Sequence, residues 1–169
     1  MGLFDKIRKP KTTPEHTQGV VPFNDVTCVM KPYIVDGMLR VNIPVHWEPY
    51  ESDRFRAKSK DGKTQISITN WKIADSALPI AEQLINMVNP LYERFVVEGG
   101  YEPHNDFIAN DAYISKSFKV DEETQYYLTT MNQAHGKTIA TGIIVRDIGE
   151  YDPEMRATLL IIASSIQLQ

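Results

Sequence analysis

The stretch DSALPIAEQLINMVNPLYERFVVEGG, residues 75–100, decides the architecture, because it is the one long segment whose apolar residues keep helical spacing. Ile80, Ala81, Leu84, Ile85, Val88, Leu91, Tyr92, Phe95 and Val96 recur at steps of three and four, which stacks them on one stripe of an α-helix. Such a stripe needs a sheet to lie on. Ser76 or Asp75 can cap the start through a side-chain oxygen, Pro79 falls in the first turn where its missing donor costs little, and Gly99-Gly100 ends the run. The predicted helix therefore spans 76–98. Pro90 deletes one internal hydrogen bond, yet the stripe stays in phase on both sides of it, so one kinked helix is expected rather than two.

Working back toward the N-terminus, the period changes to two. Cys28, Met30 and Ile34 alternate with Val29, Tyr33 and Val35 up to Asp36-Gly37, a pair suited to a tight hairpin turn. Leu39, Val41 and Ile43 then share one parity, Arg40 and Asn42 the other, and Pro44 ends the pairing. After a loop over 45–52 that holds His46 and Trp47, Phe55 and Ala57 oppose Arg54, Arg56 and Lys58. A turn at 60–63 leads into 64–71, where Ile66 and Ile68 alternate with Ser67 and Thr69. On the other side of the helix, 99–105 reads as a loop and 107–120 as one extended segment. Strands follow over 125–131 and 138–145; the second is apolar on both parities, the mark of a central strand. Asp152, Pro153 and Glu154 then open a second helix, predicted over 152–167, with Met155, Leu159, Ile162 and Ile166 on its apolar stripe. The expected fold is α+β: an antiparallel sheet of six or seven strands with both helices packed on it.

The chain has 169 residues, 42% hydrophobic and 24% charged, enough for one core, and 20–169 reads as a single domain. A net charge of −4 gives no general attraction to phosphate backbones, so nucleic acid is not expected as a partner. With Cys28 the single cysteine, no internal disulfide forms, and the opening residues lack the apolar core of a signal peptide; a cytoplasmic home is the expectation. No apolar run approaches the roughly 20 residues of a membrane span. Residues 1–19 read as a tail and linker. Leu3, Phe4 and Ile7 lie on one side of a short turn flanked by Lys6 and Arg8, which offers at most weak contact with a membrane surface. Lys6 stands where a myristoylation signal wants Ser or Thr.

The segment MLRVNIPVHWE, residues 38–48, followed by a hairpin, together with the duplicated order of strands then helix, resembles the PsbP-like superfamily over about residues 26–168. That group includes the photosystem subunit that names it, a nuclear Ran-release factor, and bacterial cytoplasmic or lipoprotein relatives, some of them chaperones for secreted effectors. The resemblance implies a sheet sandwiched between helices and a protein that binds other macromolecules. It carries over no functional residue.

The chemistry of the residues points the same way. The histidines at 16, 46, 104 and 135 have no second ligand at helical spacing, and the chain has no phosphate loop, nucleophile elbow or cysteine pair. Glu102, His104 and Asp106 alternate in a loop, where an extended backbone would aim them one way; a solvated loop is the plainer reading. The expectation is therefore a non-catalytic bacterial adaptor or chaperone-like module without metal or cofactor, binding another protein. The alternative is a small-molecule binder or enzyme built on the Glu102–Asp106 or Trp47 loops. The candidate recognition face carries Arg40, Arg54, Arg56, Lys58 and Trp71, with Ser67 and Thr69 beside them; cations next to an indole recognise acidic or aromatic groups.

Overall fold

Two sheets, not one, build the molecule. The structure, a computed structural model, describes residues 20–23, 26–134 and 136–169, so the predicted tail at 1–19 lies outside the described residues. Strands β1 (Val20–Phe23), β2 (Val26–Val35) and β3 (Leu39–Pro44) form an antiparallel meander, and the short C-terminal strand β12 (Gln167–Leu168) joins β3 from the far side. Asp36 and Gly37 both take positive φ, 52° and 65°, as a two-residue turn between right-twisted strands requires. Leu39, Val41 and Ile43 are fully buried, in line with their shared parity.

The larger sheet has eight strands, all antiparallel. Its path runs from β4 (Trp47–Tyr50) through β5 (Phe55–Ser59), β6 (Thr64–Ile73), β11 (Lys137–Ile148), β10 (Glu123–Ala134) and β9 (Tyr113–Val120) to β7 (Glu102–Pro103), and β8 (Ile108–Ala109) also pairs β9. β11 sits mid-sheet and is buried on both faces, as its pattern predicts. The expected single sheet splits after β3: the ladder with β2 runs one hydrogen bond past Pro44, Val45 N–H donating to the Val29 carbonyl at 3.0 Å, and the chain then turns at 45–46 to start the second sheet at Trp47. The extended segment predicted over 107–120 is also divided, since Asn110 Oδ1 accepts from the backbone N–H of Ala112 and Tyr113 and turns the chain.

Each face of the large sheet has its own core. On one face Ala57, Ile66, Ile68, Tyr126, Leu128, Ile143 and Val145 meet the small sheet and Leu159, Ile161 and Ile162 of α2 (Pro153–Ser164). On the other, Ile114, Phe118, Tyr127 and Met131 meet Leu84, Val88 and Tyr92 of α1 (Ile80–Val97). The helices thus lie on opposite faces, but α1 covers chiefly the half of its face built from β9 and β10, its core reaching Ile144 of β11 and Ile73 at the end of β6.

Both helices are shorter than their sequence pattern. α1 starts at Ile80, because Pro79 disfavours a helical Leu78, and Ser76 Oγ accepts from Leu78 N–H instead of capping. Pro90 sits inside one continuous helix. Asp152 caps α2 as expected, accepting from Glu154 N–H at 2.8 Å. α2 ends at Ser164, and Ser165 turns the chain into β12 by donating to the Ile162 carbonyl at 2.6 Å while accepting from Asn42 N–H at 2.9 Å. Among the described residues no helix is long and apolar enough to cross a membrane.

The fully buried Tyr126 ties the two layers, its hydroxyl accepting from Asp152 N–H at 2.7 Å. Tyr126→Phe strands that donor and is expected to cost about 1–2 kcal/mol in denaturant unfolding. Burial pushes the Tyr126 phenol up from 10.0 to about 12. Its contribution to stability is whole below pH 10, where the unfolded residue keeps its proton, and is lost as the pH rises from 10 to about 12. Melts across that window should fall less steeply for Tyr126→Phe than for the parent.

Candidate functional site

The half-sheet that α1 leaves open carries a polar surface with a cation at one end and an indole at the other. Cross-strand register sets its rows: Arg56 lies beside Ser67 and Lys58 beside Gln65, while on the far side of β6 Ser67 meets Ile144, Gln65 meets Arg146 and Trp71 meets Ala140. Where this surface approaches α1 it deepens to a cleft of about 360 Å³, lined by Tyr50, Arg56, Ser67, Arg146 and, from the covered side, Tyr101 and Tyr127.

The cations on it are not equivalent. Arg146 forks onto Glu123 through Nε at 2.9 Å and Nη2 at 3.0 Å, which raises the guanidinium above its ordinary pKa. Gln125 donates to the same carboxylate, and the Tyr127 hydroxyl donates to Gln125 Oε1 at 2.5 Å; burial holds the Tyr127 phenol far above the usual tyrosine range. That corner is a closed network. Arg56 has only a loose ion pair, Nη2 to Asp53 Oδ1 at 3.6 Å, and its Nε lies buried with no partner among the described residues. Lys58 sits 5.5 Å from the Tyr50 ring centroid. Arg56 and Lys58 therefore keep donors to offer.

Trp71 is 46% exposed, unusual for an indole, whereas Trp47 is a core residue at 2%. The Trp71 ring lies across the backbone of Gly142 on β11, so close that a Cβ there would stand 2.6 Å from the indole. Gly142→Ala should lift the ring off the sheet and shift Trp71 fluorescence to longer wavelength over the constant background of Trp47; an unchanged spectrum would place the indole elsewhere.

The fold brings Arg56, Lys58 and Trp71 onto this surface together with Ser67 and Thr69. Arg54 precedes β5 at its rim and binds Asp53 at 3.1 Å. Arg40 lies apart on β3, between Ile34 and Gln167 in the small sheet. Arg146, Glu123 and Tyr101 belong to the site but were not foreseen, since the strand expected over 138–145 stops one residue short of Arg146, whereas β11 runs on to Ile148. The loop triplet does not converge. Asp106 is held by Ser117 N–H at 2.9 Å and by Arg156 Nη1 at 3.1 Å, His104 packs on Tyr151 at 4.9 Å, and Glu102 is exposed on β7. Among the described residues no cluster of three or more metal-ligating side chains exists.

No family model matches the chain, and no curated protein matches it in sequence. A solved structure shares its fold. The chain is similar to LpqN, described as involved in cell envelope biogenesis of Mycobacterium tuberculosis, with a TM-score of 0.51, 13% identity and 89% of each chain covered. A protein from Bacteroides thetaiotaomicron VPI-5482 aligns with a TM-score of 0.47 and 13% identity over 82% of this chain and 48% of its own. The likeness is one of fold.

Proposed function

We propose that the protein is a non-catalytic binding module, an adaptor or chaperone-like domain of a bacterial cytoplasm, that holds a segment of another protein on its open half-sheet. The observation that carries this reading is the uncovered face itself, where a half-exposed indole and the underused donors of Arg56 and Lys58 stand on rigid strands. Antiparallel sheets commonly leave a face to water, but a wet face rarely spends a large aromatic on it. A segment is favoured over a small ligand held by the loops, because the Trp47 ring is core and the Glu102–Asp106 loop is tied to the edge of the sheet. Cell fractionation tests the assumed location, which recovery in the envelope would displace.

The binding test uses charge reversal. Arg54→Glu with Arg56→Glu should abolish capture of a binding peptide while changing stability by less than about 0.5 kcal/mol, because among the described residues no helix covers β5 and both side chains reach solvent. Peptide titration followed by Trp71 emission, beside a circular dichroism melt, reads both quantities. Capture that survives with the melt intact reduces the face to an ordinary wet surface.

A further inference from the structure

Resting on that reading, we propose the mode of binding: an acidic, extended segment of the partner adds as a strand to the free edge of β6 at Thr69–Ile73. The argument starts from backbone groups that must find partners. β5 pairs β6 only from Gln65 to Ile68, so from Thr69 to Ile73 β6 is paired on one side alone, by β11. Among the described residues no backbone or side-chain group takes up the outward main-chain donors and acceptors of this stretch.

Most other edges among the described residues are guarded; the exceptions are β2 from Met30 to Val35, which pairs β3 alone and is interrupted by Pro32, and the four residues of β10 from Met131 to Ala134, which pair β11 alone. β7 and β8 cover β9, and between them His104 N–H donates to the Ser117 carbonyl while Asp106 accepts from Ser117 N–H. The outermost strands β1 and β4 are short and carry Pro22 and Pro49, which cannot extend a ladder on their own nitrogens. β3 is closed by β12 and by Ser165 on Asn42 N–H. The five residues of β6 have neither a proline nor a covering strand. Their single charged member is Lys72, which faces away from the Trp71 side.

Charge selects the occupant. A strand laid along Thr69–Ile73 continues the line of β5, so its residue opposite Trp71 lies beside the base of that side chain, whose ring leans the other way over Gly142 on β11. Two residues on, roughly 7 Å along the strand, its side chain opposite Thr69 comes next in line to Arg56. A carboxylate there comes in line with Arg54 and the exposed end of Arg56, where it competes with Asp53 for the two guanidinium groups, and a second carboxylate opposite Lys72 pairs the cation on the other face. A second copy of this chain is disfavoured, since edge-to-edge pairing brings Lys72 of one copy close to Lys72 of the other.

The experiment pans the full chain against a phage-displayed library of random dodecapeptides and synthesises the strongest binder. The expected binder alternates apolar and acidic residues. Its binding slows amide exchange across Thr69–Ile73 at least tenfold, N-methylation weakens it at least tenfold at alternate positions only, and Lys72→Glu weakens it tenfold or more. Amides of Thr69–Ile73 that exchange as fast with peptide bound as without overturn strand addition; if that binder still needs Arg56, the binding-module reading survives alone. A library that enriches no sequence over the Arg54→Glu, Arg56→Glu variant removes both. Amides already protected in the free protein overturn the proposal too, and sedimentation then separates pairing with residues 1–19 of the same chain from pairing with a second copy.

Discussion

Phe118→Ala should cost about 3–5 kcal/mol and lower the melting midpoint by roughly 8–16 °C. Phe118 is 0% exposed and is the hub of the core beneath α1, with ring centroids of Tyr92 at 5.4 Å, Tyr127 at 5.7 Å, Phe95 at 5.8 Å and Tyr101 at 6.1 Å. Three of these four contacts reach helix or loop residues, so truncation leaves a cavity and also loosens the attachment of α1 to the sheet. The small core can collapse little, because Ile114 and Met131 are already packed against the same helix. Phe118→Leu, which keeps most of the volume, should lose less than half as much. Since the open half-sheet shares none of these rings apart from Tyr101 and Tyr127, Trp71 emission should stay near its parent value at temperatures where Phe118→Ala remains folded. A loss below 1 kcal/mol would mean that α1 is held by something other than this core.

Arg156→Ala should destabilise the fold by about 3–5 kcal/mol through a different route. Arg156 on α2 and Asp106 on the β7–β8 loop meet at 3.1 Å with side-chain exposures of 13% and 7%, too low for water to replace the missing partner. Removing the guanidinium leaves the Asp106 carboxylate with Ser117 N–H as its remaining donor. Losing a charge from a solvated surface pair would cost about 1 kcal/mol or less, so the size of the effect reports the burial. The double change Asp106→Leu with Arg156→Met should recover most of the loss, because a buried pair exchanged for apolar side chains of similar volume is often neutral. Equal penalties in the single and double variants would show that the two residues act independently. The coupling matters to the site, since this pair fixes the loop that seals the β9 edge.

Legibility followed the range of the interactions. The Asp36-Gly37 turn, the Asp152 cap with Pro153 and the central position of β11 each rest on residues close in sequence or on a period, and each was readable. Boundaries set by one competing residue were less so, as at Pro79, whose effect on Leu78 moved the start of α1 from 76 to 80. The site was legible in part for the same reason. Parity along β5 and β6 puts Arg56, Lys58, Ser67, Thr69 and Trp71 on one side of their strands, whichever sheet they join.

The sequence by itself determined the period of every long element and which side of each strand is apolar, because those depend on φ, ψ and side-chain chemistry alone. Only the tertiary structure decided that the strands divide between two sheets after β3, that Arg40 leaves the company of the other cations, and that Arg146 joins them beside Glu123. It also decided which face α1 leaves bare and which edge of β6 stays unpaired. Those outcomes turn on pairings between residues far apart in the chain, such as Gln65 with Arg146, and a periodicity carries no information about which distant strand will supply the partner.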